Sequence, residues 1–224
     1  MCDFFGRRAA RPLPSIFVPR KPRVQAPDVL YHVTTRGVEK RDIFRGTKSY
    51  LMFLELLEQT VFRYGWICDS YCLMKNHYHL AVETPQANIS AGMQFLKGEH
   101  ASWFNVTYGR EGTLHERRFR DTIATDEGHA AHLSRYLVLN PVRSGFERNP
   151  EDWHWSSYNA TIGLAKRPRF LTIEPTLDLF GGGPLGAARF AEFVEEELLS
   201  ARLAASQEAM SGSDPGMARL DMAA

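Results

Sequence analysis

The sequence predicts an α+β fold in which helices pack on one face of a central antiparallel sheet. Three observations carry this expectation. The run 31–36 is β-branched and aromatic with turn chemistry at Gly37, and 66–73 and 77–83 read as two further strands, the last closing at Pro85. Two longer stretches, 49–64 and 88–108, repeat apolar residues at helical spacing. Only Met74, Lys75 and Asn76 separate the second and third runs, so these two strands form a tight antiparallel hairpin.

Taken in order, Tyr31-His32-Val33-Thr34-Thr35-Arg36 reads as the first strand, with turn chemistry at Gly37, and Ile43 and Phe44 as a buried anchor in the following loop. The first helix, 49–64, places Leu51, Phe53, Leu54, Leu57, Val61 and Phe62 at helical spacing, and Gly65 ends it. The hairpin strands follow and close at Pro85. The second helix, 88–108, takes its apolar face from Ile89, Met93, Phe95, Leu96 and Phe104, with Asn88 or Ser90 as the cap and Gly109 and Gly112 as breakers. In 117–123, Phe119, Asp121 and Ile123 alternate with Arg118, Arg120 and Thr122, predicting a strand with a cationic exposed face. A third helix over 126–139 buries Ala130, Leu133 and Leu137 and ends at Asn140-Pro141, because a residue before proline avoids the α region. The resulting order is β, α, β, β, α, β, α. Trp153, Trp155 and Tyr158 read as core packing, or as platforms for unpaired bases. Gly181-Gly182-Gly183-Pro184 reads as a linker, 188–203 as an amphipathic or acidic helix, and the chain beyond Ser206 as disordered.

With 224 residues, 44% of them hydrophobic, the chain can bury one full core with appendages at both ends. The appendages are an arm over 1–27 and an extension over 166–224. There is no 18-residue apolar run and no secretory signal series, so the expectation is a cytoplasmic protein with no membrane partner. Cys2, Cys68 and Cys72 form neither a disulfide framework nor a zinc knuckle and read as buried or inert thiols. The net charge of +1 conceals opposite ends. Arg7, Arg8, Arg11, Arg20, Lys21 and Arg23 face only Asp3 in the proline-rich arm, whereas acidic residues predominate after residue 191. Such an arm either contacts nucleic acid or stays solvated and disordered.

The chemistry centres on Lys75-Asn76-His77-Tyr78-His79. On a strand, side chains alternate, so His77 and His79 share a face with Cα atoms roughly 6.5 to 7 Å apart, within reach of one divalent ion. A pair of histidines on a polar sheet face is the alternative. His132, Tyr136 and Asn140 follow at i, i+4 spacing on the third helix and form one polar stripe. A tyrosine there is either an amphipathic core residue or, with a metal-polarised phosphate nearby, a nucleophile that forms a phosphotyrosine.

The segments YHVTTRGVEKRDIF, CLMKNHYHLAVETP, LKGEHASWFNVTYGREGTLHERRFR, RYLVLNPVRSGF and PEDWHWSSY, in this order, resemble the REP-associated tyrosine transposases, a branch of the single-tyrosine HUH nucleases and transposases. The resemblance covers residues 31 to about 160 and identifies a catalytic domain over 28–165. It implies a ferredoxin-like fold and metal-dependent endonuclease and strand-transfer activity on single-stranded DNA. The partner would be palindromic hairpin DNA, and the intermediate a 5′-phosphotyrosine with a released 3′-hydroxyl. It implies Tyr136 as nucleophile, and His77, His79 and Asn140 as ligands of Mg²⁺ or Mn²⁺. Arg36, Arg117, Arg118, Arg120 and Arg143 are the candidates for tracking the DNA backbone. Related transposases can assemble active sites across a homodimer. Lys75, where relatives often carry proline, and His115, where an aromatic is common, depart from the pattern.

Two other classes of function remain in view. A domesticated hairpin-binding regulator would bind without cutting, and binding alone requires no nucleophile. A non-covalent metal hydrolase would use the histidine pair and lose nothing in Tyr136→Phe.

Overall fold

The structure, a computed structural model, describes residues 25–116 and 118–211. The basic arm up to residue 24, Arg117 and the tail from 212 lie outside the described residues.

Four strands and three helices build the sheet and its cover: β1 (Leu30–Arg36), α1 (Gly46–Tyr64), β2 (Ile67–Leu73), β3 (His77–Glu83), α2 (Ile89–Tyr108), β4 (Arg120–Ile123) and α3 (Glu127–Arg143). The sheet order is β2-β3-β1-β4 and every pairing is antiparallel. This is the expected α+β class with ferredoxin-like topology. The short connection makes β2 and β3 neighbours, and the helical crossovers bring β1 beside β3 and β4 beside β1.

Strand alternation decides what each face buries. Tyr31 and Val33 of β1 and Tyr78, Leu80 and Val82 of β3 join Phe53 and Leu57 of α1 and Met93, Leu96 and Phe104 of α2 in the main core. Gly65 ends α1 in the left-handed region at φ 62°, its N–H donating to the Val61 carbonyl. Ser49 lies inside the first turn of α1, not at its start: its hydroxyl accepts from Arg45 N–H at 2.6 Å. Asn88 precedes α2 but makes no side-chain cap. Its amide instead accepts from Trp66 Nε1 at 2.8 Å and donates to the Tyr64 carbonyl, tying α2 to the end of α1.

The expectation of helices on one face holds for α1 and α2 but not for α3. The opposite face of β2 and β3 presents Cys72 and Ala81, and these pack with Leu133 and Leu137 of α3, Met74 and Trp153. That apolar strip beside the histidines needs a cover, and α3 supplies it. Trp153 and Tyr158 are core residues, and Trp153 Nε1 donates to the Leu73 carbonyl at 3.0 Å. Cys68 and Cys72 are free and buried.

The third helix also runs past its expected end. It continues through Asn140 and Pro141 to Arg143. Proline removes one intrahelical donor, but here it sits in the last turn, where Ser144 N–H reaches the Asn140 carbonyl and Phe146 N–H the Pro141 carbonyl.

Beyond it lie α4 (Tyr158–Thr161), α5 (Glu174–Asp178) and α6 (Gly183–Ser211). Gly181, Gly182 and Gly183 of the expected linker all have positive φ, but Gly183 and Pro184 already belong to α6. The helix expected over 188–203 is therefore longer at both ends and runs to Ser211, past Ser206, the expected start of disorder. Phe190 and Val194 of α6 pack on Val138 and Leu139 of α3 and on Tyr158. Among the described residues no helix is long and apolar enough to cross a membrane.

In β2 the register shifts between Cys68 and Ser70, which pair with the consecutive residues Val82 and Ala81, so Asp69 is the extra residue of a β-bulge.

Candidate active site

The α3 face of the sheet is set by pairing register. Thr34 stands opposite Arg120 on one side and His79 on the other. Arg36 stands opposite His77, and His32 lies between Thr122 and Ala81. His32, Thr34 and Arg36 therefore share a face with the two expected ligand histidines.

Each imidazole is oriented by its neighbours. Asn76 Nδ2 donates to the Lys40 carbonyl at 3.0 Å, which turns its amide oxygen to His77 Nδ1 at 2.7 Å. An oxygen acceptor there requires a proton on His77 Nδ1 and leaves Nε2 with its lone pair. His79 Nδ1 lies 2.9 Å from His32 Nε2, and Thr34 Oγ1 lies 3.2 Å from both atoms. Burial lowers the pKa of His79 to about 2, with His77, His32 and Arg36 adding to the effect. Burial lowers His77 to about 4, reinforced by Arg36, and His32 to about 4, reinforced by His129. All three rings are neutral at pH 7 and keep a lone pair for a ligand or a hydrogen bond.

Tyr136 projects from α3 onto this face. Its ring centroid is 5.6 Å from that of His79 and 5.8 Å from that of His32, edge-on in both cases. It is 39% exposed, so a substrate can reach it. The Arg143 guanidinium lies 4.9 Å from the centre of its ring and pairs with Glu197 of α6, so this arginine is engaged beside the tyrosine. Asn140 is 6% exposed and its Nδ2 donates to the Tyr136 carbonyl at 2.9 Å. His132 is turned to α6, bonded to Arg135 and packed on Phe193, so the expected stripe divides between two environments.

Arg36, Arg118 and Arg120, with Thr34 and Glu116, line a cleft of about 50 Å³ beside the histidine row. Arg118 and Arg120 are exposed. Arg117 lies outside the described residues. His115, by contrast, is a core residue 3.2 Å from His100, under Tyr78 on the other side of the sheet.

The donor set fits an ion held by two imidazole nitrogens and oxygen ligands from elsewhere. Among the described residues no group of three His, Cys, Asp or Glu side chains is arranged to hold a metal. Bound there, an ion would draw two bonds from the imidazoles and complete its shell with amide, substrate or solvent oxygens.

Sequence reasoning missed His32, Thr34 and Asn76. The alternation of His32, Thr34 and Arg36 in β1 was the available signal, but it gains meaning only with the β1–β3 register.

Residues 25–138 match the family described as "Transposase IS200 like". A protein of Haemophilus influenzae described as a REP-associated tyrosine transposase is 25% identical over 151 residues, covering 60% of this chain and 86% of the relative. The solved structure of a REP-associated tyrosine transposase bound to a REP hairpin matches with a TM-score of 0.57 at 16% identity, over 69% of this chain and 92% of that one, a likeness of fold.

Proposed function

The chain belongs to the IS200-like transposase family, and from that premise we propose that it is a REP-associated tyrosine transposase that cuts and rejoins single-stranded hairpin DNA through a covalent 5′-phosphotyrosine on Tyr136. The observation that carries this reading is the convergence of Tyr136 on the His77/His79 face of the sheet from a separate helix.

In the first step the Tyr136 oxygen attacks the scissile phosphorus and loses its proton to solvent. The bond from phosphorus to the 3′-oxygen breaks, and that oxygen leaves as a 3′-hydroxyl after taking up a proton. An incoming 3′-hydroxyl reverses the sequence and restores the tyrosine. A divalent ion, Mg²⁺ or Mn²⁺, would be held by Nε2 of His77 and of His79 with the Asn140 amide, and would supply Lewis-acid polarisation of the phosphate. Arg36, Arg118 and Arg120 hold the substrate backbone in the cleft beside the histidines. The exposed tyrosine edge lets an unpaired strand pass over the site. Residues 28–165 carry this catalytic unit.

The test is a denaturing gel of labelled hairpin DNA with Mn²⁺ and either wild type or Tyr136→Phe. Wild type should yield a protein–DNA adduct and a shortened strand. The variant should bind the hairpin and yield neither. Adducts that persist in Tyr136→Phe would move the nucleophile to another tyrosine, and cleavage without any adduct would replace the covalent mechanism by hydrolysis.

A further inference from the structure

A second concave feature lies beside the start of α3, where a cavity of about 290 Å³ is lined by Asp28, Asp69, Glu83, Asp126 and Glu127. None of the described residues lining it is basic. Acidic residues at a surface are ordinarily a solvated face, but Asp69 is not at the surface. The β2 bulge inserts it beside the cavity, it is 5% exposed, and its Oδ1 is buried with no hydrogen-bond partner. A buried carboxyl without a partner is costly to ionise unless a cation joins it. Burial, with Glu83 close by, accordingly raises its pKa to about 8.

The other members of the cavity divide by availability. Asp126 is used at the start of α3, where its Oδ1 accepts from His129 N–H at 2.8 Å and its Oδ2 from the Thr125 hydroxyl at 2.8 Å. The Ser134 and Thr176 hydroxyls, 3.4 Å apart, add neutral acceptors to the wall. Asp28 and Glu127 also line the cavity, but Glu83 is the carboxylate close enough to act on buried Asp69, so Asp69 and Glu83 form the pair that faces a ligand.

We propose that this cavity is a binding pocket for a guanidinium or primary ammonium group, recognised by the Asp69 and Glu83 carboxylates. Such a group brings several N–H donors to carboxylates spread around a cavity, whereas a divalent metal requires ligands converging on a point, and among the described residues no such group of three is present. Two sources offer this chemistry. One is the chain's own Arg20, Lys21 and Arg23, which shortly precede Asp28. The other is a free polyamine.

The test titrates the full chain with agmatine, which carries both groups, at ionic strength fixed with NaCl, and follows backbone amide NMR shifts. The expected result is a saturable shift centred on Asp69 and Glu83, with affinity reduced roughly tenfold or more in Asp69→Asn and in Glu83→Gln. Should Asp69→Asn fail to fold, Glu83→Gln supports the same comparison. In full-length Arg20→Gln/Lys21→Gln/Arg23→Gln, tighter agmatine binding identifies the chain's own arm as the competing occupant, and unchanged binding identifies a free amine. The proposal is overturned if neither wild type nor the triple variant shows saturation. It is also overturned if the acid variants bind like wild type, or if MgCl₂ saturates these shifts and agmatine does not.

Discussion

His32 Nε2 lies 2.9 Å from His79 Nδ1, and two neutral imidazoles at that distance share a single proton. If His79 donates from Nδ1, its Nε2 keeps the lone pair that a metal needs. If His32 donates instead, the proton of His79 sits on Nε2 and blocks the ligand position. Thr34, within 3.2 Å of both atoms, completes the small network.

His32→Ala is therefore expected to weaken Mn²⁺ binding by about 10- to 100-fold, the usual effect of losing an outer partner of a ligand histidine. His32→Gln, whose amide oxygen can accept from Nδ1, should recover part of that loss. Electron paramagnetic resonance titration of free Mn²⁺ measures both. Equal affinity in His32→Ala and wild type would leave His32 a packing residue.

His77→Ala and His79→Ala are expected to abolish strand cleavage while hairpin affinity changes little, because phosphate contacts dominate binding to nucleic acid. Parallel gel-shift and cleavage assays separate the two effects. Full cleavage by either variant would remove that histidine from the ligand set.

Arg118→Ala and Arg120→Ala should weaken hairpin binding and flatten the plot of log affinity against log salt by about 0.7 per arginine on an unpaired strand, somewhat more on a duplex stem. Both side chains are exposed, so folding should be unaffected. An unchanged salt slope would place the DNA path elsewhere.

Asp69 gives a pH dependence of stability. Its carboxyl is raised from 3.8 to about 8 in the folded protein, so the folded state holds this proton over a range where the unfolded chain has lost it. Its contribution is fully present below pH 3.8 and is lost progressively as pH rises through about 8. The total is on the order of 6 kcal/mol at 1.36 kcal/mol per pH unit. Asp69→Asn should flatten this slope and raise the denaturation midpoint at pH 8 relative to pH 5, in buffer without added amines. Urea titrations at the two pH values provide the check. A parallel slope in wild type and variant would mean that Asp69 ionises freely.

Much of the architecture was legible because it depends on local pattern. Alternation in YHVTTR and HYHLAVE, helical spacing before Gly65 and Gly109, and a three-residue hairpin connection specify the sheet and two of its helices. Features decided by packing at a distance were not legible. Nothing near Pro141 tells that α3 continues to Arg143, and the glycine run 181–183 reads as a linker although Pro184, favoured in a first turn, marks the start of the last helix. His32 illustrates the same limit at the site: it meets His79 across 47 residues of sequence. Asn88 has the residue type of a helix cap, and only the folded chain shows that Trp66 and Tyr64 claim its amide.

The long terminal helix has a kinetic meaning. Glu197 of α6 pairs with both Arg135 and Arg143, which flank Tyr136 in sequence, and Phe190 and Val194 pack against the same stretch of α3. The tyrosine-bearing helix is thus clamped from behind by its own chain while its ring already meets its own histidines. Handing that helix to a second copy would require breaking the fork and opening the apolar contact beneath it. Turnover should accordingly count chains and not encounters between them, with activity per mole of protein level on dilution from micromolar to nanomolar.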